Sequence, residues 1–254
     1  MNIGLIKVKK NLENFGVYRS AWLCWNRRRS ERELYYALKY LSLKYYGEMT
    51  FLQVGGNDGR TGDPVHRFVE NYHWKGIVVE PQKDVFTIGL QQTYGDNQNI
   101  SLENCAIDRE SSERVLYKIG FSNARWATGI ASFDRSTLDK LIDNGYVEKM
   151  ASEEGISLPE DRKDCISEEL VLSMTIDQVL EKHGFENVKL LVVDTEGYDG
   201  KIIKSINFSR VSPLAIVFEW IHLEPGEYFE VHKFLDLNGY TLTKIGINCF
   251  ASRS

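Results

Sequence analysis

Acidic side chains close a series of apolar runs in this sequence. Glu80 follows Gly76-Ile77-Val78-Val79, Asp194 and Glu196 follow Leu190-Leu191-Val192-Val193, and Glu219 follows Ala215-Ile216-Val217-Phe218, with His222 three residues beyond. Carboxylates and imidazoles take the proton from a hydroxyl as it attacks, so Asp194, then His222, then Glu196 are the candidate catalytic residues. The alternatives are a structural histidine just past a strand and a Glu196-Gly197 pair that only shapes a turn. A second constellation is the run Phe51-Leu52-Gln53-Val54 leading into Gly55-Gly56-Asn57-Asp58-Gly59. Glycine takes positive φ freely and leaves room for a ligand against the backbone, so this reads as a binding loop. Glu80 lies about twenty residues further on, where an acidic side chain accepts hydrogen bonds from ribose hydroxyls.

These residues need elements that deliver them to one edge. Asp63-Pro64 caps and starts a helix in which Val65, Phe68, Val69 and Tyr72 recur at i, i+3, i+4, i+7. Leu34, Leu38, Leu41 and Tyr45 keep the same spacing and predict an amphipathic helix over residues 31–46, packed on the α/β domain C-terminal to it. Further strands are expected at 76–81, 100–104, 115–117, 188–194 and 214–219, with helices at 84–94, 136–144 and about 202–206. Thr175 caps another helix that Gly184 stops, and a last helix through Val231, Phe234 and Leu235 precedes a closing strand at 240–245. Alternating strands and helices predict a doubly wound, mostly parallel α/β sheet, whose ligands sit at the carboxyl ends of the strands. That edge collects Gly55, Asn57, Asp58 and Gly59 from the loop, Glu80, then Asn104 and Ala106, and finally Asp194. Between about 120 and 170 the periodicity fades, which predicts a lid-like, acceptor-binding insertion.

Composition bounds the reading. With 254 residues, 43% hydrophobic and 26% charged, the chain suits one globular α/β domain, residues 47–254, behind a helical extension over 1–46. Cys24, Cys105, Cys165 and Cys249 are widely spaced and form no metal or disulfide pattern. No apolar run has signal or membrane-spanning character, so a soluble, cytoplasmic protein is expected. Residues 1–45 hold ten Lys and Arg against three Asp and Glu, a net +7, and the remainder is −12. The basic arm could touch an anionic partner at a membrane periphery, a nucleotide-linked substrate or a second subunit, but the acidic core disfavours nucleic acid. Asp194, Glu196 and Glu219 are hard donors that could share a divalent cation; carboxylates at strand ends are common without one, and no metal is expected.

The glycines at 55, 56 and 59 do not make the GxGxxG that a dinucleotide needs. S-adenosylmethionine carries the same ribose without a pyrophosphate, and the polar Asn57-Asp58 suits its cationic end. The series Gln53 to Gly59, Gly62-Asp63-Pro64, Gly76 to Pro81, Asn104 to Ile107, Thr175-Ile176-Asp177, Val193-Asp194-Thr195-Glu196-Gly197-Tyr198-Asp199 and Phe218-Glu219-Trp220 resembles the FkbM family of S-adenosylmethionine-dependent methyltransferases. The resemblance spans about residues 49–245. It implies a class I Rossmann-like fold and methylation of a hydroxyl on a sugar, polysaccharide or natural product. Gln53 stands where many class I methyltransferases carry an acid, and the basic arm lies outside the resemblance. A catalytically silent protein that binds S-adenosylmethionine or a glycan is the alternative. Trp126, Phe133 and Trp220 are aromatics that could stack on a sugar, and an oligomer is compatible with all of this.

Overall fold

The computed structural model describes residues 29–253. Cys24 and residues 1–28 of the basic arm lie outside them. A helix over 29–44 leads to strand β1 (Thr50–Val54), and β2 (Lys75–Val79), β3 (Ile100–Glu103), β4 (Ala106–Ile107) and β5 (Ser112–Ile119) come next. Strand β6 (Ile166–Met174) closes the insertion, and β7 (Leu190–Val193), β8 (Ala215–Glu219), β9 (Tyr240–Ile245) and β10 (Asn248–Arg253) complete the chain. The central sheet runs β3-β2-β1-β7-β8-β10-β9. It is parallel except at β10, which pairs antiparallel with both neighbours. This is the doubly wound, mostly parallel sheet expected.

Alternation along each strand feeds two cores, one on either face. In β1, Leu52 and Val54 join Ile77, Leu191, Val193, Ile216 and Phe218 against the helices Ile176–Lys182, Asp199–Lys204 and Pro225–Leu237. Phe51 points the other way, with Val78, Val192 and Val217, onto Leu34, Leu38 and Leu41 of the first helix and Val65, Phe68 and Val69 of His66–Tyr72. The first helix therefore packs as its spacing predicts. Thr175 forms a capping box with Gln178, Gly184 turns the chain out at φ +72°, and Asp63 Oδ1 accepts from the Val65 and His66 amides at 2.7 Å each.

Two expectations change. The strand at 115–117 is β5, and it belongs to a separate sheet, β4-β6-β5, rather than to the central one. Tyr240–Ile245 is an edge, but β10 inserts between it and β8, an unpredicted strand because Asn248, Ser252 and Arg253 dilute its alternation. Residues 120–170 include the helix expected at 136–144. They hold the helices Arg125–Thr128, Arg135–Asp143 and Tyr146–Glu153, packed around Trp126, Leu138, Val147 and Ala151. The helix at 83–94 contains a π-helical stretch, Phe86–Leu90, which turns Ile88 into solvent and sets Gly89 against Asp58. Among the described residues no helix is long and apolar enough to cross a membrane.

Candidate active site

A cleft of about 680 Å³ opens at the carboxyl ends of β1, β2, β4 and β7, and the insertion forms its other wall. The glycine loop reaches it because the Gly55 and Gly56 amides both donate to the Val79 carbonyl, at 3.0 and 2.9 Å. Gly55 has φ +83°, and a Cβ there would stand 1.8 Å from the Asp194 carbonyl oxygen, so only glycine lets β1 turn against the end of β7. Asn57 also lies in the left-handed region, at φ +45°. Its amide donates to Glu80 Oε2 at 2.9 Å, and its Nδ2 donates to the Thr128 carbonyl at 3.2 Å, which ties the loop to the insertion. Glu80 Oε1 accepts from the Gln82 amide at 2.9 Å. Burial pushes Glu80 up to about 7 against the pull of these hydrogen bonds.

The other acidic group gathers at the ends of β7 and β8. Asp194 is open to the cleft but hemmed in by protein, and this enclosure, with Glu219, Glu196 and Asp199 near, raises it well above its ordinary value. Asp199 is fully buried and braces the loop: its Oδ2 accepts from Thr195 Oγ1 at 2.8 Å and its Oδ1 from the Glu219 amide at 3.1 Å. Burial pushes Asp199 up to about 6. Glu196 sits at φ +52°, uncommon for a residue other than glycine, next to Gly197 at φ +104°. Burial and the Glu219 charge push Glu196 up to about 7. His222 Nε2 is 3.1 Å from Glu219 Oε2 and 3.4 Å from Glu196 Oε2. The Glu219 contact pushes His222 up to about 9.

Gly55, Asn57, Glu80, Ala106, Asp194 and Glu196 thus meet in one cleft. Asp58, Gly59, Asn104 and His222 do not line it. Asp58 Oδ1 accepts from the Arg60 and Thr61 amides, Gly59 packs on Tyr94 and Leu90, and Asn104 Nδ2 donates to the Glu80 carbonyl at 2.8 Å, bracing the turn after β2. Arg125, Thr128 and Gln82 line the cleft without having been singled out. The two insertion residues lie in aperiodic sequence, where a lone Arg or Thr gives no signal. Phe133 does reach the cleft, under the Arg114 guanidinium at 4.2 Å from its ring centroid; Trp126 is buried in the insertion core and Trp220 stacks near Tyr228. Gln53 turns away from the cleft, and its Nε2 donates to Asp63 Oδ2 at 2.7 Å. Cys105, Cys165 and Cys249 are free and buried, and burial pushes the cleft-lining Cys105 up to about 12, so it is no nucleophile. Among the described residues, the donors that converge closely enough for a cation are Glu196, Glu219 and His222, within 4.8 Å of one another; His222 replaces Asp194 in the set the sequence suggested.

An acidic acceptor at the end of β2, a glycine turn and the apolar walls of Ala106, Ile107 and Leu116 fit an adenosine-bearing ligand. No curated protein matches the chain. Among solved structures, an FkbM methyltransferase from Methylobacillus flagellatus KT aligns at TM-score 0.47 and 10% identity, covering 80% of this chain and 43% of its own. A precorrin-6y C5,15-methyltransferase from Geobacter metallireducens GS-15 aligns at 0.42 and 7%, over 86% of each chain. The SAH-bound methyltransferase PaMTH1 from Podospora anserina aligns at 0.38 and 9%, covering 80% of this chain and 70% of its own. This chain thus spans less than half the length of the FkbM structure. The Methyltransferase FkbM domain profile matches residues 53–242, three quarters of the sequence. The chain belongs to the FkbM methyltransferase family, and its cofactor is S-adenosylmethionine.

Proposed function

We propose that this methyltransferase acts on oxygen, methylating a hydroxyl of a sugar, polysaccharide or natural product. The observation that carries the reading is Asp194, a carboxylate facing into the same cleft as Glu80. S-adenosylmethionine, when bound, supplies a methyl carbon that leaves its sulfur with the bonding pair staying on sulfur, while an oxygen lone pair forms the new bond. Glu80 accepts the ribose hydroxyls, and the Gly55 turn keeps the backbone close. Asp194 takes the hydroxyl proton, which an alcohol must lose as it attacks. Arg125 and Phe133 of the insertion close the acceptor side and keep water out.

The test is a panel of glycans, nucleotide sugars and hydroxylated natural products with ¹³C-methyl S-adenosylmethionine, read by mass spectrometry and NMR. An O-methyl product is expected. Asp194→Asn is expected to lower turnover about 10²–10⁴-fold while cofactor affinity stays within a few-fold. A methyl on carbon or nitrogen, or an unchanged turnover in the variant, would overturn the reading. Tight cofactor binding without any product would return the chain to a silent binder.

A further inference from the structure

Glu196, Glu219 and His222 form a second constellation beside the cleft, and Glu196 belongs to both. His222 Nε2 lies 3.1 Å from Glu219 Oε2 and 3.4 Å from Glu196 Oε2. Donors that share one cation through bonds of about 2.1 Å stand about 3.0 Å apart at octahedral and about 3.4 Å at tetrahedral angles. A second observation is independent of these spacings. Glu219 is only 8% exposed, and its Oε2 is shut off from solvent without a hydrogen bond despite the nearby imidazole. Nitrogen and oxygen are close but not aligned on each other, as expected of groups that converge on a common centre. Native structures satisfy buried carboxylate oxygens that lack an aligned donor with an ion or water.

The geometry points to a divalent-cation site made by Glu196, Glu219 and His222. One imidazole nitrogen with two carboxylate oxygens suits a borderline cation such as Mn²⁺ or Zn²⁺ better than a thiolate-seeking or an all-oxygen one. Three protein ligands leave coordination positions open, and Glu196 sets the ion at the cleft wall. If the acceptor is a hydroxyl, as proposed above, the open side holds that oxygen beside Asp194. The ion site itself does not depend on that reading.

The full chain, stripped by a chelator and dialysed, is titrated with MnCl₂ by electron paramagnetic resonance and with ZnCl₂ by calorimetry. One ion per chain is expected, with affinity at least about tenfold weaker in Glu219→Gln and in His222→Ala and unchanged in the distant Glu113→Gln. Binding of S-adenosylhomocysteine by each variant shows that it is folded. No ion bound at millimolar metal, or undiminished binding in both folded variants, would overturn the site. A bound ion in a protein that puts its methyl on carbon would sink the O-methyl reading and leave the ion site standing.

Discussion

Glu80 shows why a residue's type is legible before its state is. Its place after an apolar strand, about twenty residues past the glycine loop, is written in the sequence, but its enclosure by the Asn57 and Gln82 amides comes from folding. Its proton is held up to about 7 against an ordinary 4.5, so the unfolded chain releases that proton first and the ligand-free fold loses stability as pH rises between those values. Ribose hydroxyls donating to the carboxylate favour the ionised form and reverse the trend for binding. Affinity for S-adenosylhomocysteine is expected to rise several-fold from pH 6 to pH 8, measured by calorimetry, and to be lost in Glu80→Ala. A flat profile in the wild-type protein would remove Glu80 from the ribose. His222 shows the same at an imidazole: its place three residues past Glu219 is written in the sequence, but the Glu196 carboxylate 3.4 Å from its Nε2 comes from folding, and the two carboxylates push it up to about 9.

At the scale of elements, strands and helices with a single strong period were legible, from β1 to the capped helix at 176–182. The second sheet was not. Leu170 and Leu172 on β6 are 64% and 61% exposed, so its outward face carries the apolar residues that a hydrophobic pattern assigns to a core. The insertion is a small packed unit, and Asn57 hydrogen-bonds to its Thr128 and so joins it to the glycine loop. Asn57→Ala removes that junction and leaves alanine in the left-handed region, where asparagine is better tolerated. A stability loss of about 1–2 kcal/mol is expected in urea denaturation, together with weaker cofactor binding. Loss of stability with cofactor affinity intact would mean that the junction holds the insertion but not the loop.

Over the whole molecule, the central sheet is covered on both faces, and one of those faces is completed by the helix at 29–44. Composition alone sets that helix apart as the end of a basic extension, yet Leu38 is fully buried beside the Phe68–Trp74 stack, and Trp74 Nε1 donates to Ser42 Oγ at 3.0 Å. The described part of the extension thus shares the domain's core, and its Arg29, Glu31, Arg32, Glu33 and Lys44 are exposed on the other side, with Tyr36 and Tyr40. Truncating a buried leucine removes its transfer free energy and leaves a void that the surrounding aromatics cannot fill. Leu38→Ala is expected to cost about 2–4 kcal/mol in urea denaturation, monitored by tryptophan fluorescence, to which Trp74 contributes. Tyr40→Ala, on a side chain 63% exposed, is expected to stay within about 0.5 kcal/mol. Equal effects at the two positions would show that the helix is not docked in solution, and the sheet face under it would then have to be covered by something else.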